Sequence, residues 1–192
     1  MTSLLDRIRE IVATPTGASH HTLQRRIRWM HVARAAVEAG PGDLVEIGAM
    51  VGDSTVPFCE IAEQYGRRVL VVDPWTPKTQ NCRGPEYGVF MERTEPWRER
   101  GVLEVLRKRS QDAEAVVTLR TRTWAFALVD GLHKYNPALC DILAVRYARV
   151  ICVDDLNMEQ VRRAFDQALV ELPEREGVQV STRAKKREGY LV

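Results

Sequence analysis

Val45-Glu46-Ile47-Gly48-Ala49-Met50-Val51-Gly52 is followed, about twenty residues later, by Val69-Leu70-Val71-Val72-Asp73. The first stretch reads as a buried strand running into a glycine loop, and the second as a neighbouring strand that ends on an acid. A glycine loop lets backbone approach a ligand closely. An acid at the next strand tip can accept hydrogen bonds from both hydroxyls of a ribose. Together the two stretches describe a nucleoside pocket, although the glycines taken alone would also suit a structural turn. The loop is E-x-G-x-x-x-G rather than G-x-G-x-x-G.

Working outward from this pair, strands and helices alternate. Strands are expected at 44–47, 68–72, 103–107, 125–129 and 150–153. Helices are expected between them near 54–64, 89–100, 111–118 and 137–147, with another at 158–172. The strands are continuous apolar runs, as suits strands buried on both faces of a parallel sheet. Two further strands, at 178–181 and 189–192, are joined by a charged turn and suggest an antiparallel edge. Ahead of the first strand come two helices, at 3–13 and 22–39, and Gly40-Pro41-Gly42 stops the second. The expected fold is α/β: a Rossmann-like, doubly wound, mostly parallel seven-stranded sheet with a short helical amino-terminal prefix and an antiparallel carboxyl-terminal edge. Residues 1–192 read as a single domain, with 1–40 the prefix and 41–192 the Rossmann-like core.

With 192 residues, 45% hydrophobic and 28% charged, the chain is long enough to bury a proper core. A net charge of +2 is too small to imply nucleic acid. The basic clusters Arg25-Arg26-Ile27-Arg28 and Arg183-Ala184-Lys185-Lys186-Arg187 read as solvated faces or tails, with an anionic ligand or partner as the alternative. No apolar run reaches the ~18 residues of a membrane span, and the amino terminus lacks a signal-peptide pattern. Cys59, Cys82, Cys140 and Cys152 show no C-x-x-C pairing. Three of them sit inside apolar stretches and are read as small core residues in a reducing cytoplasm, without zinc.

Glu46, just before the loop, would repel a pyrophosphate but suit a ligand carrying an ammonium and a sulfonium group. This chemistry favours S-adenosylmethionine over NAD. Ser54 and Thr55 either cap the next helix or bond a ligand carboxylate at its amino end. Gly48, Met50, Gly52, Asp73 and Trp75 all belong at the strand tips.

These residues carry a resemblance. The run from Leu44 to about Leu156 resembles the class I S-adenosylmethionine-dependent methyltransferases, especially the small-molecule O-methyltransferases related to macrocin O-methyltransferase and the cephamycin enzymes. The matching pieces are Val45-Glu46-Ile47-Gly48-x-x-x-Gly52-x-Ser54-Thr55, Val72-Asp73-Pro74-Trp75, Phe90-Met91, Ser110, Val129-Asp130-Gly131-x-His133-x-Tyr135 and Val153-Asp154-Asp155. The resemblance implies Glu46 and Gly48 near the methionine moiety, Asp73 at the ribose and the Ser110 neighbourhood at the adenine. Trp75 either flanks the adenosine or is a core or lid aromatic.

Asp130 ends the fourth strand and Asp154-Asp155 the fifth. If these strands are adjacent and parallel, their tips lie ~5 Å apart. Three carboxylates there repel unless something positive sits among them, and oxygen-only ligation suits Mg²⁺. The resemblance points the same way. The alternative has Asp130 touching the cofactor, Asp155 capping the next helix, and no metal. In the family an acid often stands two residues after the strand-end acid, but here that position is Leu132. His133 is then the candidate general base, or else it shapes the loop together with Tyr135. Asp141 reads as structural, paired with an arginine. His20, His21 and His31 read as surface or capping residues. The long connection 76–88 reads as a lid.

The resulting expectation is a cytoplasmic O-methyltransferase acting on a small-molecule hydroxyl, with no nucleic-acid or membrane partner. The chain is short, so a homodimer using the helical prefix would supply the missing wall of the acceptor site. The rivals are a non-catalytic S-adenosylmethionine-binding regulatory protein, an NAD-dependent oxidoreductase and a nucleic-acid methyltransferase.

Overall fold

A computed structural model describes residues 2–18, 21–76, 85–181 and 187–192. Among the described residues, seven strands form one sheet in the order β3-β2-β1-β4-β5-β7-β6. They are β1 (Asp43–Ile47), β2 (Val69–Val72), β3 (Leu103–Leu106), β4 (Trp124–Val129), β5 (Val150–Val153), β6 (Gly177–Ser181) and β7 (Arg187–Leu191). The first five run parallel, and β7 is antiparallel to both β5 and β6. The expected doubly wound sheet with an antiparallel end is therefore what forms. One detail differs. The last strand in sequence, β7, lies inside the sheet and β6 takes the edge. Gly189, Tyr190 and Leu191 are buried on β7, whereas β6 alternates between half-buried and exposed positions.

Side chains alternate across each strand and so feed two cores. Leu44, Val69, Val71, Val150 and Cys152 face one layer of helices: α1 (Leu4–Ala13), α2 (His21–Glu38), α3 (Thr55–Gln64) and α4 (Glu86–Glu99). Val45, Ile47, Leu70, Val72, Ile151 and Val153 face the other layer: α5 (Ala113–Thr121), α6 (Tyr135–Ala144) and α7 (Glu159–Glu171). Helix α4 begins earlier than its apolar pattern suggests. Pro85 stands at its start, where a missing N–H leaves no bond unmade. Of the expected lid, residues 77–84 lie outside the described residues, as do 183–186 of the second basic cluster, Cys82 and His20.

Helix α2 is not a detached prefix. Its Trp29, Val32, Ala33, Ala36 and Val37 are buried in the first core. Its basic cluster is not a solvated face either. Arg28 Nε donates to Glu188 Oε1 at 2.5 Å, and Trp29 Nε1 donates to Glu188 Oε2 at 2.9 Å, with Glu188 fully buried on β7. Arg26 pairs with Asp53 at 2.7 Å, and Arg25 reaches Asp154 and Asp155. These acids lie far away in sequence, so the cluster read locally could not reveal them. A second correction concerns the cysteines. Cys59 and Cys152 are buried, but Cys140 is exposed on α6. Among the described residues no helix is long and apolar enough to cross a membrane.

Truncating Arg28 would leave the buried Glu188 carboxylate without its cation, with only neutral donors such as the Trp29 indole N–H. Arg28→Ala is expected to cost about 3–5 kcal/mol in urea unfolding. Arg122→Ala, which removes the exposed pair with Glu104, should cost at most about 1 kcal/mol. Equal costs for the two variants would refute this account of how α2 is held.

Candidate active site

A cleft of about 540 Å³ opens beyond the carboxyl ends of β1, β2 and β4. This is where the strand order reverses between β1 and β4, the usual ligand position in such sheets. Its floor exists because two strand tips meet. Gly48 has φ +88°, and a Cβ there would lie 2.2 Å from the Asp130 carbonyl oxygen, so only glycine allows the approach. Gly48 N–H donates to Val72 O at 3.0 Å and Asp130 N–H to Ile47 O at 2.9 Å, so both loops leave the sheet in register.

Asp73 organises the glycine loop. One carboxylate oxygen accepts from the Ala49 and Met50 N–H groups at 2.9 and 3.1 Å, and the other accepts from Trp75 N–H at 2.7 Å. Trp75 closes the circuit by donating its indole N–H to Met50 O at 2.7 Å. The Trp75 ring is buried against Phe90 and Tyr87, with centroids 4.7 and 5.1 Å away, as a core aromatic that also lines the cleft. Gly52 (φ +80°) closes the turn with an N–H to Ala49 O at 2.8 Å. Among the described residues the non-glycine residues with positive φ are Met50, Trp75 and Asp155. All three stand at strand tips around the cleft, where tertiary contacts hold a conformation that costs energy elsewhere.

Glu46 lies beneath the cleft rather than in its wall. It shares the side of β1 that faces α3, is fully buried, and accepts from the Ser54 and Thr55 hydroxyls. Those hydroxyls are thereby turned away from capping, and Ser54 makes no side-chain cap bond. Burial pushes the Glu46 carboxyl up to about 7, against the two hydroxyl bonds that favour its charge. Of this group only Ser54 lines the cleft among the described residues; Glu46, Gly52 and Thr55 do not.

At the far end Ser110 is buried, and Gln111 donates to both Ser110 Oγ and Asp141 Oδ1 at 2.7 Å. Asp141 therefore has an amide partner instead of the expected arginine, and burial raises it to about 6. Arg109, Ser110 and Gln111 all line the cleft.

The three expected acids do stand near one another, but with the Arg25 guanidinium and the His133 imidazole already among them. Arg25 Nη1 donates to both oxygens of Asp154 and lies 3.4 Å from Asp155 Oδ1. His133 Nε2 lies 3.2 Å from Asp130 Oδ1 and 3.7 Å from Asp155 Oδ2. The ligand atoms that gather within 4.8 Å of one another belong to Asp130, His133 and Asp155, not to Asp130, Asp154 and Asp155. This arrangement does not fit an oxygen-only Mg²⁺ site. Asp154 is engaged by a permanent cation, and an imidazole nitrogen stands between the other two acids. The bond to Asp130 raises the His133 pKa above its ordinary value, and burial opposes it. Leu132 and His133 line the cleft, while His31 is exposed on α2. Arg25, Arg26, Asp53, Arg109 and Gln111 also line it; Arg25 and Arg26 belong to the first basic cluster, and the other three carried no sequence signal.

A family profile described as a methyltransferase domain matches residues 45–151. Solved structures share the fold along the whole chain. The TDP-rhamnose 3'-O-methyltransferase CalS11 of calicheamicin biosynthesis is 14% identical, with 98% of this chain and 92% of that one covered and a TM-score of 0.67. Cofactor-bound Rv0187 from MTB is 18% identical, with 100% and 90% covered and a TM-score of 0.66. The O-methyltransferase NovP is 16% identical, with 98% and 96% covered and a TM-score of 0.61. Comparison with curated proteins finds no match.

The buried Glu46 gives a pH signature with a definite sign. Its folded-state pKa of about 7 lies above the ordinary 4.5, so ionising it on folding is penalised as pH rises through that window. Relative to wild type, Glu46→Gln should gain up to about 3 kcal/mol of stability between pH 4.5 and pH above 7, in urea unfolding at several pH values. A difference that stays flat with pH would overturn the assignment.

Proposed function

This chain belongs to the methyltransferase-domain family, and we propose that it passes a methyl group from S-adenosylmethionine to a hydroxyl oxygen of a small-molecule acceptor. The observation that carries the reading is the cleft itself. One opening is lined by the glycine loop, Asp73, Ser110 and His133, which supports reading it as a nucleoside site with a proton acceptor beside it. The O-methyltransferases among the structural neighbours favour oxygen as the nucleophile.

When bound, S-adenosylmethionine supplies an electrophilic methyl group on a positively charged sulfur. Asp73 accepts three backbone N–H bonds, and two carboxylate oxygens offer about four acceptor sites. Capacity therefore remains for a ribose hydroxyl. Ser110 and Gln111 offer polar groups to the base, and Ser54, braced by Glu46, offers one near the loop. The loop without a tight diphosphate turn argues against NAD.

His133 would remove the acceptor proton. If Nε2–H points at Asp130, Nδ1 carries the lone pair, and the hydroxyl proton passes to it as the oxygen takes the methyl group. The imidazolium so formed is favoured by Asp130, Asp155 and Asp154, which all raise its pKa. The chain's remaining contribution is to hold acceptor and donor in line in a cleft of fixed shape.

Calorimetry should show binding of S-adenosylmethionine and none of NAD; the reverse preference would sink the proposal. Asp73→Asn should weaken S-adenosylmethionine about 10- to 100-fold, the scale of lost charge-assisted hydrogen bonds. Methyl transfer should fall by about 10²–10⁴ in His133→Ala. In wild type, kcat/KM should rise with pH as His133 loses its proton, with a midpoint above the ordinary imidazole range. Asp130→Asn should move that midpoint down. A full rate in His133→Ala would remove it as the base.

A further inference from the structure

We propose that Arg25 is the resident cation of this cleft, paired with Asp154 and beside Asp155, so that the oxygen-only metal site expected of Asp130, Asp154 and Asp155 does not form and the acceptor meets a guanidinium. The acceptor's part in this statement rests on the methyl-transfer reading. The exclusion of a metal does not, because it can be measured on the resting protein.

The argument starts from charge. Parallel neighbours β4 and β5 end on Asp130 and on Asp154-Asp155, and carboxylates at adjacent strand tips need positive charge. An oxygen-only divalent site would answer that need only if all three acids turned an oxygen to one point, and Asp154 is turned to Arg25 instead. In this chain Arg25 already supplies a positive charge there. Arg25 binds both oxygens of Asp154 and approaches Asp155, and His133 stands between Asp155 and Asp130. Arginine is always charged, so this neutralisation does not vary with pH.

Arg25 is also held so that it cannot yield its place cheaply. Its guanidinium carbon lies 5.5 Å from the centroid of the Trp29 ring, whose indole N–H is anchored on Glu188. The adjacent arginines on α2 are tied down as well, Arg26 to Asp53 and Arg28 to Glu188. Admitting a metal at Asp154 would mean moving a guanidinium fixed by a whole helix. Finally, Arg25 lines the cleft, while among the described residues Asp154 and Asp155 do not. A bound acceptor is therefore presented with the cation and screened from those acids. Arg25 is placed to orient an electron-rich acceptor oxygen, a task that a metal performs when carboxylates are left bare.

Mn²⁺ titration of the full chain, followed by electron paramagnetic resonance with Mg²⁺ as competitor, tests this directly. Wild type should show no saturable site tighter than about 1 mM. Arg25→Ala, which removes the guanidinium from these carboxylates, should bind Mn²⁺ at least about tenfold more tightly, because affinity grows with uncompensated ligand charge. A saturable Mn²⁺ site in wild type that Asp155→Asn abolishes would overturn the proposal, as would an Arg25→Ala protein that folds by circular dichroism yet gains no affinity. If Arg25→Ala fails to fold, the wild-type titration decides alone. Should no S-adenosylmethionine binding be found, the proposed function fails while the titration still judges the cation.

Discussion

The cleft depends on the ionic contacts that pin helix α2 across the sheet. Arg25, Arg26 and Arg28 reach acids on three separate segments: Asp154 and Asp155 after β5, Asp53 after the glycine loop, and Glu188 on β7. Buried ion pairs add little net stability, because desolvating both partners offsets much of their attraction. Their value here is positional. An apolar stripe can slide on a sheet by a turn at modest cost, but a guanidinium facing a buried carboxylate cannot. The helix thus has one position, and that position brings a cation to the tip of β5.

The glycine loop is held by a related device. Asp73 gathers the loop's N–H groups, Trp75 gathers one of its carbonyls, and Phe90 and Tyr87 hold Trp75. Met50 can then keep a positive φ without being glycine. The acid expected at the ribose is a brace for the loop, which explains how a short loop keeps its shape. Glu46 does the same from below. Its burial exchanges direct contact with the cleft for control of Ser54 and Thr55.

Much of this was legible beforehand, for physical reasons. Strands buried on both faces leave uninterrupted apolar runs, so β1, β2, β4 and β5 could be read within a residue or two. Strand-end residues need no long-range information to be recognised, so Gly48, Asp73, Asp130 and Asp155 were found as tip residues. The rest could not be read, because it concerns partners. Nothing local says that Arg25 meets an acid 129 residues away, that Asp141 meets Gln111 and not an arginine, or that the last strand inserts beside β5.

What the sequence alone determined is the order of elements, the strand-tip location of the site, and the set of chemical groups available there. Periodicity and glycine placement are local properties of a chain and survive without its fold. What only the tertiary structure decided is how those groups are paired. Whether Asp154 faces a metal, a ligand or a guanidinium depends on where α2 lies, and that is settled by packing and charge across the whole sheet.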